Sequence, residues 1–361
     1  MNEKLHHYHL ALTMYMIQVG IVFFSLPRLT AENFGTNGWL SLLIFSAVAC
    51  FNIFLIACVH RKGRGQSIFT ILENTLPKWV LYPIYLFLVV TWAMLGGLAA
   101  LEFSQVLQLM SFPTTSPFTI SFIMALLALF LLRQGVYNIV KATVIFFYIS
   151  FWLTFLTLAH VQQFEWLRLT PFLFQGETHM VRGSFTIYPA FLGYELFLLL
   201  LPYVHPKAKF VKAMYIGHLY TTFIYVLTCI IAYGFFSFPL LLQGTFPVFS
   251  LIAYVKLPFI ERIESFAIMF FLFKVLLTSV FYYWAAQETL QRVVPRIHPW
   301  WITLFIVGGT YLISWKWNLH REVVAQLKWL QTIEIAIAFG LPLLLLLILW
   351  IQKATRRDVH A

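Results

Sequence analysis

Long apolar stretches recur from one end of the chain to the other, and short polar segments separate them. A helix that crosses a lipid bilayer needs about 20 predominantly apolar residues. Ten stretches come close to that length, at residues 9–27, 38–59, 80–107, 118–132, 142–160, 184–203, 211–236, 259–287, 299–315 and 332–352. The pattern therefore predicts an all-α, polytopic membrane protein of about ten transmembrane helices, forming a single transmembrane domain over residues 1–361.

Three segments have patterns of their own. The first apolar stretch, Leu10 to Pro27, could be a signal peptide, but no small-residue cleavage site closes it, so we interpret it as the first span. In residues 66–76 the apolar positions have helical spacing, which predicts a helix lying in the membrane interface. Residues 238–257 are apolar, irregular and contain proline, and we expect them to form an external loop that folds back over the bundle.

The composition excludes a soluble globule. Of the 361 residues, 61% are hydrophobic and only 10% are charged, whereas soluble domains are about half apolar and a quarter charged. The net charge of +11 comes from lysines and arginines in short loops beside the spans, so topology explains it better than nucleic-acid binding does. With the N-terminus inside, 15 of these 24 cations lie on the cytoplasmic side and 8 on the other, which predicts that both termini are cytoplasmic.

Two of the predicted spans contain a central glycine and end in Leu-Pro. The first span holds Gly20 and ends at Pro27, and the sixth holds Gly193 and ends at Pro202. Interrupted spans at corresponding positions in two halves of a chain indicate an inverted-repeat transporter. Each glycine alone could instead serve close helix packing, but their matched positions favour breaks in both helices.

The third, sixth and eighth predicted spans hold Glu102, Glu195 and Lys274, respectively, inside the apolar stretch. A charge at the bilayer centre costs about 2.5–3.5 kcal/mol on insertion scales, so such groups usually face a partner or a cavity. Lys274 could pair with either glutamate, and the pair could be structural or part of a proton relay or ligand contact. Thr278 and Ser279 could help to hold a sodium ion, because hard cations prefer oxygen ligands, or could bond their own helix backbone.

The sequence contains no nucleophile, metal-ligand or nucleotide-binding motif typical of enzymes, so we predict no enzymatic activity, no cofactor and no metal. The three cysteines lie in apolar stretches without CxxC spacing, which is typical of small buried hydrophobes.

Three segments resemble the spore germination permeases, the B subunits of nutrient germinant receptors. Gly20 to Arg28, with its Leu-Pro-Arg ending, is similar to the first span of that family. Gly193-Tyr194-Glu195, continuing through leucine-rich sequence to Pro202, resembles its sixth span, and Glu261 to Glu264 resembles the motif that opens its eighth span. The chain length and the ten-span arrangement also match, so the resemblance covers nearly the whole chain.

The resemblance implies the fold of the amino acid–polyamine–organocation transporters: two inverted five-helix repeats, here residues 1–160 and 184–352, with discontinuous helices 1 and 6. It implies a subunit that senses a small nutrient, possibly an amino acid, in the spore inner membrane or bacterial cell membrane, together with an A subunit and a lipoprotein C subunit. The implied ligand-binding residues are Gly20, Ile21, Glu102, Phe191, Gly193, Tyr194 and Lys274, and the ion-coupling candidates are Glu195, Thr278 and Ser279.

One position departs from the pattern of related transporters, which often have Gly-x-Gly in the first-span break. This chain has Gly20-Ile21-Val22, and a β-branched valine restricts the backbone where a carboxylate would approach a half-helix terminus. Sugars and ions therefore stay open as ligands. The alternatives to a nutrient sensor are a proton-coupled secondary amino-acid transporter and an assembly subunit that binds no small molecule.

Overall fold

The computed structural model describes residues 4–171, 174–175, 179–205, 208–256, 258 and 262–358, and this part of the chain is almost entirely helical. Five short 3-10 helices lie between or beside the α-helices. The α-helices are α1 His7–Gln18, α2 Leu26–Phe34, α3 Leu40–Lys62, α4 Ile68–Glu73, α5 Lys78–Met110, α6 Pro117–Arg133, α7 Gly135–Ser150, α8 Leu153–Leu158, α9 Met180–Ile187, α10 Phe197–Leu200, α11 Phe210–Phe235, α12 Phe238–Gln243, α13 Pro247–Ala253, α14 Ile263–Val293, α15 Pro299–Ser314 and α16 His320–Asp358.

Six helical segments of the described chain are long and apolar enough to cross a membrane: α3, α5, α7 continued by α8, α11, α14 and the larger part of α16. The shorter apolar helices α6 and α15 coincide with the predicted fourth and ninth spans. The predicted first and sixth spans are both interrupted. The all-helical membrane fold is confirmed, whereas the total of ten spans and the two-repeat arrangement stay predictions.

The outer surface of the bundle is apolar. Large side chains such as Phe51, Phe130, Phe305 and Trp350 are each more than half exposed. Contiguous apolar surface of this extent would drive aggregation in water, but it requires no cover in lipid, where the surrounding solvent is itself apolar. The bilayer therefore serves as the solvent for this face of the protein.

Element boundaries differ from the prediction in three places. The tenth helix begins at His320 rather than near residue 332, because its first turns carry charged residues that an apolar window excludes. The first span continues beyond Pro27 as α2, which reaches Phe34. Residues 238–257, predicted as a loop, contain the helices α12 and α13, and Leu257 lies outside the described residues. A helix is present within residues 66–76 as α4, and its location in the membrane interface stays a prediction.

The core is built on two close helix contacts. The helices α5 and α14 pack along much of their length, and a Cβ atom on Gly96 would come within 3.0 Å of the Ser279 carbonyl oxygen. On the other side α1 packs against α11, where Gly217 faces the carbonyl oxygen of Ala11 with no room for a Cβ atom. Small residues at such contacts let helix backbones approach closely in membranes. These contacts place α1 between α11 and α14.

Both predicted interruptions are present. The first break, residues 19–25, separates α1 from α2: Val19 leaves the helical conformation, Gly20 is extended with φ −94° and ψ −172°, and a 3-10 helix follows. The second break, residues 188–196, separates α9 from α10, and Gly193 within it has φ +109°. Pro27 stands in the first turn of α2, where its missing N–H would have no helical partner anyway.

The two glycines meet different constraints, although the sequence treats them alike. Gly193 has a positive φ that only glycine adopts easily, and a Cβ atom there would lie 2.5 Å from Cγ2 of Ile17. Gly20 has an ordinary extended conformation, and no atom lies within 4 Å of the position that its Cβ would take. Gly193 is therefore required by the backbone and by packing, and Gly20 borders open space.

We predict that Gly193→Ala destabilises the protein by about 2–5 kcal/mol, because it adds backbone strain to a steric overlap with Ile17. The matched control Gly20→Ala should change stability by less than about 0.5 kcal/mol. Thermal unfolding of both purified variants in the same detergent measures the difference. Equal stability of the two variants would contradict the assigned geometry of the second break.

Candidate functional site

Side chains of neighbouring helices donate hydrogen bonds to the last carbonyl oxygens of α1, directly before the first break. The Thr278 hydroxyl of α14 donates to the Ile17 carbonyl at 3.0 Å, and the Tyr225 hydroxyl of α11 donates to the Gln18 carbonyl at 2.7 Å. Main-chain polar groups inside a bilayer must be satisfied by protein or by water. These two side chains supply the hydrogen bonds that a continuous helix would have supplied itself.

Gln18 also connects the two breaks to each other. Its side-chain amide donates to the Phe191 carbonyl in the second break at 2.5 Å and lies 3.2 Å from Nδ1 of His218. Nε2 of His218 lies 3.0 Å from the Ser46 hydroxyl, which extends the chain of hydrogen bonds to α3. Sequence reasoning missed His218 and Tyr225, because neither a lone histidine nor a lone tyrosine in an apolar helix indicates a role at a break.

The backbone N–H groups that begin the 3-10 helix of the first break have no partner in the described part of the protein. No hydrogen bond engages the N–H of Ile21 or Val22, whereas the Gly20 N–H bonds the Gln18 carbonyl at 2.8 Å. Gly20 and Thr278 also keep partial solvent access, although most residues around them are buried. The first break therefore offers free hydrogen-bond donors beside accessible space.

One backbone donor of the second break, the Gly193 N–H, is taken by a side chain of the break itself. The Gly193 N–H donates to both carboxylate oxygens of Glu195, at 2.9 and 2.8 Å. The Tyr282 hydroxyl of α14 donates to the same carboxylate at 3.1 Å. A carboxylate at the start of a half-helix is electrostatically favourable, so Glu195 takes the position that a bound anion would otherwise take.

A second buried carboxyl group neighbours Glu195. Glu334 of α16 interacts electrostatically with Glu195 and accepts a hydrogen bond from Trp92 Nε1 at 2.9 Å. Both glutamates are almost completely buried, at 2% and 0% exposure. Neither has an ion pair with a lysine or arginine of the described chain. Sequence reasoning missed Glu334 because this residue stands near the predicted start of the tenth span. The helix α16 already begins at His320, so Glu334 lies well inside it.

Lys274 pairs with neither glutamate, which corrects the expectation that it would contact Glu102 or Glu195. Its Nζ donates to the Tyr15 hydroxyl at 2.8 Å and lies over the Tyr15 and Phe271 rings, 4.7 and 5.4 Å from their centroids. Only 3% of the residue is exposed. Phe271 in turn packs on Phe24 of the first break, with centroids 4.5 Å apart. A buried lysine with no carboxylate partner among the described residues therefore lies beside the first break.

The other predicted residues are distributed as follows. The Phe191 ring packs against His218 and Tyr225, both at 5.5 Å. The Tyr194 hydroxyl hydrogen-bonds the Tyr188 hydroxyl at 2.7 Å and accepts a hydrogen bond from the Asn52 side-chain amide at 2.9 Å, so it joins the second break to α3.

Glu102 and Ser279 lie away from both breaks. Glu102 is half-buried on α5 and has Lys328 of α16 as its charged neighbour. The Ser279 hydroxyl has no partner among the described residues and lines a small cavity between α5, α6 and α14. Thr278 donates both to Ile17 and to the Lys274 carbonyl of its own helix, so of the proposed sodium ligands only this one reaches the first break. Within the described ranges, no three His, Cys, Asp or Glu residues are grouped as metal ligands.

Comparison with solved structures relates the fold to transporters. A manganese transporter of Eremococcus coleocola, crystallised with an aromatic bis-isothiourea compound, superposes with a TM-score of 0.57 over 94% of this chain and 78% of that chain. The sequences are 14% identical in the superposed region. At this identity the similarity concerns the fold alone.

Comparison with characterised sequences and families gives a narrower result. Spore germination protein GerQB of Bacillus cereus is 24% identical over 311 residues, covering 85% of each chain, and spore germination protein YndE of Bacillus subtilis (strain 168) is 24% identical over 339 residues, covering 92% of each. The family model described as spore germination protein, a spore permease, matches residues 4–322. Together with the apolar helices, these similarities show that the chain is an integral membrane protein and a member of the spore germination protein family.

Proposed function

We propose that the protein is the B subunit of a nutrient germinant receptor and that it binds a small carboxylate-bearing nutrient at the first break. The observation that carries the proposal is that the first break has free Ile21 and Val22 N–H groups and, beside it, the buried Lys274, which has no carboxylate partner among the described residues. Backbone donors at a half-helix terminus favour an anion, and a cation inside a membrane gains most from a partner of opposite charge.

The contrast between the breaks supports this position for the ligand. At the second break the Glu195 carboxylate already accepts the Gly193 N–H, so an external anion would have to compete with it. At the first break the donors are unoccupied, and the neighbouring Gly20 borders open space. An α-amino acid fits this chemistry, and Val22 limits how bulky the group around its carboxylate can be.

Binding would act through the contact between α1 and α14. Lys274 and Thr278 of α14 hold Tyr15 and Ile17 of α1. A ligand that attracts Lys274 would compete with Tyr15 and so favour a different packing of the two helices. A ligand shifts such a balance only by its difference in affinity for the two packings.

Membership of the family supports the partner subunits and the membrane that we propose for this function. The named relatives are spore germination proteins. We propose a complex with an A subunit and a lipoprotein C subunit in the spore inner membrane, with both termini cytoplasmic as the distribution of lysine and arginine predicts.

The buried carboxyl pair favours a second candidate function, proton-coupled transport of the same nutrient. Glu195 caps the second break, and Glu334 lies beside it without a cation. A proton shared between the two groups would remove their mutual repulsion, and its release would change the charge at a helix break. Buried carboxyl groups of this kind form proton relays in membrane pumps and transporters.

The proposed ligand contact predicts that Lys274→Met weakens binding about tenfold or more, since a hydrogen bond to a charged group contributes about 1.5–3 kcal/mol. The purified protein is screened by thermal shift with each proteinogenic amino acid, and any compound that binds is then compared with its carboxamide by calorimetry. We expect the wild-type protein to lose affinity for the carboxamide. This affinity should be no higher than the affinity of Lys274→Met for the acid. The exposed Lys316→Met is the matched control. Equal binding of acid and amide would contradict the proposed site.

Flux measurements separate the receptor from the transporter. For a receptor we expect ligand binding in proteoliposomes without net uptake of the radiolabelled compound, with or without an inward proton gradient. Uptake that follows the gradient and is lost in Glu334→Gln, but kept in the control Glu322→Gln at the exposed start of α16, would establish transport instead.

A further inference from the structure

A cavity of about 440 Å³ opens at one end of the molecule, where three separate segments meet. The N-terminal segment contributes Lys4, the end of α3 and the following turn contribute His60, Arg61 and Arg64, and the chain after the second interrupted span contributes His205. Among the described residues that line the cavity, none is acidic. Its volume falls in the range of sites that hold small ligands.

The three segments are held together by backbone contacts. The Leu5 N–H donates to the Tyr203 carbonyl, and the His205 N–H donates to the Leu5 carbonyl, both at 3.0 Å. Lys4 Nζ donates to the Pro202 carbonyl at 3.0 Å, and the His6 and His205 rings stack 5.2 Å apart. These contacts fix the N-terminal segment against the exit of the sixth span and keep its cation at the cavity.

The turn after α3 brings two arginines to the same cavity. Arg64 and Gly65 have positive φ values of 52° and 70°, and the Gly65 N–H bonds back to the His60 carbonyl at 3.2 Å. Nδ1 of His60 is buried and has no hydrogen-bond partner in the described chain. A buried polar atom without a partner is costly, so this histidine, which also lines the cavity, has an unsatisfied nitrogen close to the two arginines.

Membrane proteins carry an excess of lysine and arginine on the cytoplasmic side. This preference explains why the residues at this end are basic, but not why several of them line the same cavity. Lys62 lies between Arg61 and Arg64 in sequence, yet it does not line the cavity. Lys4, Arg61 and Arg64 come from two segments that are distant in sequence and face one space that no acidic residue of the described chain lines, so a bound anion would offset the repulsion between their charges. Arginine forks match the oxygens of a phosphate group in geometry as well as in charge.

We propose that this basic cavity binds a phosphate-type anion, either the headgroup of an anionic phospholipid or a free phosphorylated compound. The bound anion stabilises the contact between the N-terminal segment, the end of α3 and the exit of the sixth span. It therefore acts at the end of the interrupted span, distant from the nutrient site, and does not depend on what that site binds.

The test uses the full-length protein in nanodiscs of phosphatidylcholine, titrated with inorganic pyrophosphate against sodium chloride of equal ionic strength. We expect pyrophosphate to raise the unfolding temperature of the wild-type protein. In Arg61→Gln/Arg64→Gln its apparent affinity should be at least about tenfold weaker, because two charged hydrogen-bond donors are lost. The control Lys62→Gln/Lys353→Gln removes the same charge outside the cavity and should respond like the wild type.

A second arm identifies the source of the phosphate group. Nanodiscs containing phosphatidylglycerol are compared with phosphatidylcholine alone, and bound lipid is counted by native mass spectrometry. Selective retention of phosphatidylglycerol that blocks the pyrophosphate response and is lost in the double arginine variant assigns the cavity to lipid. A pyrophosphate response that is equal in both lipids, without retained phosphatidylglycerol, assigns it to a soluble compound. Absence of both responses, or equal responses in the arginine variant and its control, would overturn the proposal.

Discussion

The main-chain polar groups of two interrupted helices must find partners where lipid supplies none, and this requirement organises the centre of the molecule. The carbonyls left by α1 are taken by Thr278 and Tyr225, and the amide that precedes α10 is taken by Glu195. The two donors to α1 come from α14 and α11, so the first break holds both of these helices against α1. Close contacts at Gly96 and Gly217 then bring the helix backbones near enough for these bonds to form.

The two breaks differ in the ionisable groups beside them, and this difference gives the core a candidate function. At the second break the Glu195 carboxylate accepts hydrogen bonds from the Gly193 N–H and the Tyr282 hydroxyl, and a second carboxyl group lies beside it. The first break keeps two backbone N–H groups without partners, next to a buried lysine that contacts a hydroxyl and two rings. One break is therefore suited to holding a proton, and the other is suited to holding an anion. Whether these two properties are coupled distinguishes a sensor from a transporter.

Much of the fold could be predicted from the sequence, because long apolar stretches have few alternatives in a membrane and Gly20 and Gly193 mark the breaks by matched position. The partners of charged side chains could not be predicted. Lys274 contacts Tyr15 rather than a glutamate, since which residues meet across helices depends on helix rotation, and an apolar pattern does not encode rotation in lipid. Glu334 was overlooked because it stands at the predicted start of the tenth span, where a charged side chain would reach the membrane surface, whereas α16 already begins at His320. His218 and Tyr225 carry no sequence signal, because their role exists only beside a backbone that has left the helix.

The account depends most directly on the free amides of the first break. Residue-resolved hydrogen–deuterium exchange of the protein in nanodiscs measures them without knowledge of the ligand. We expect the Ile21 and Val22 amides to exchange rapidly, while those of the preceding turns of α1 stay protected by their helical hydrogen bonds. Slow exchange of Ile21 and Val22, matching that of Met16 and Ile17, would mean a continuous helix and a closed core, and would contradict the account.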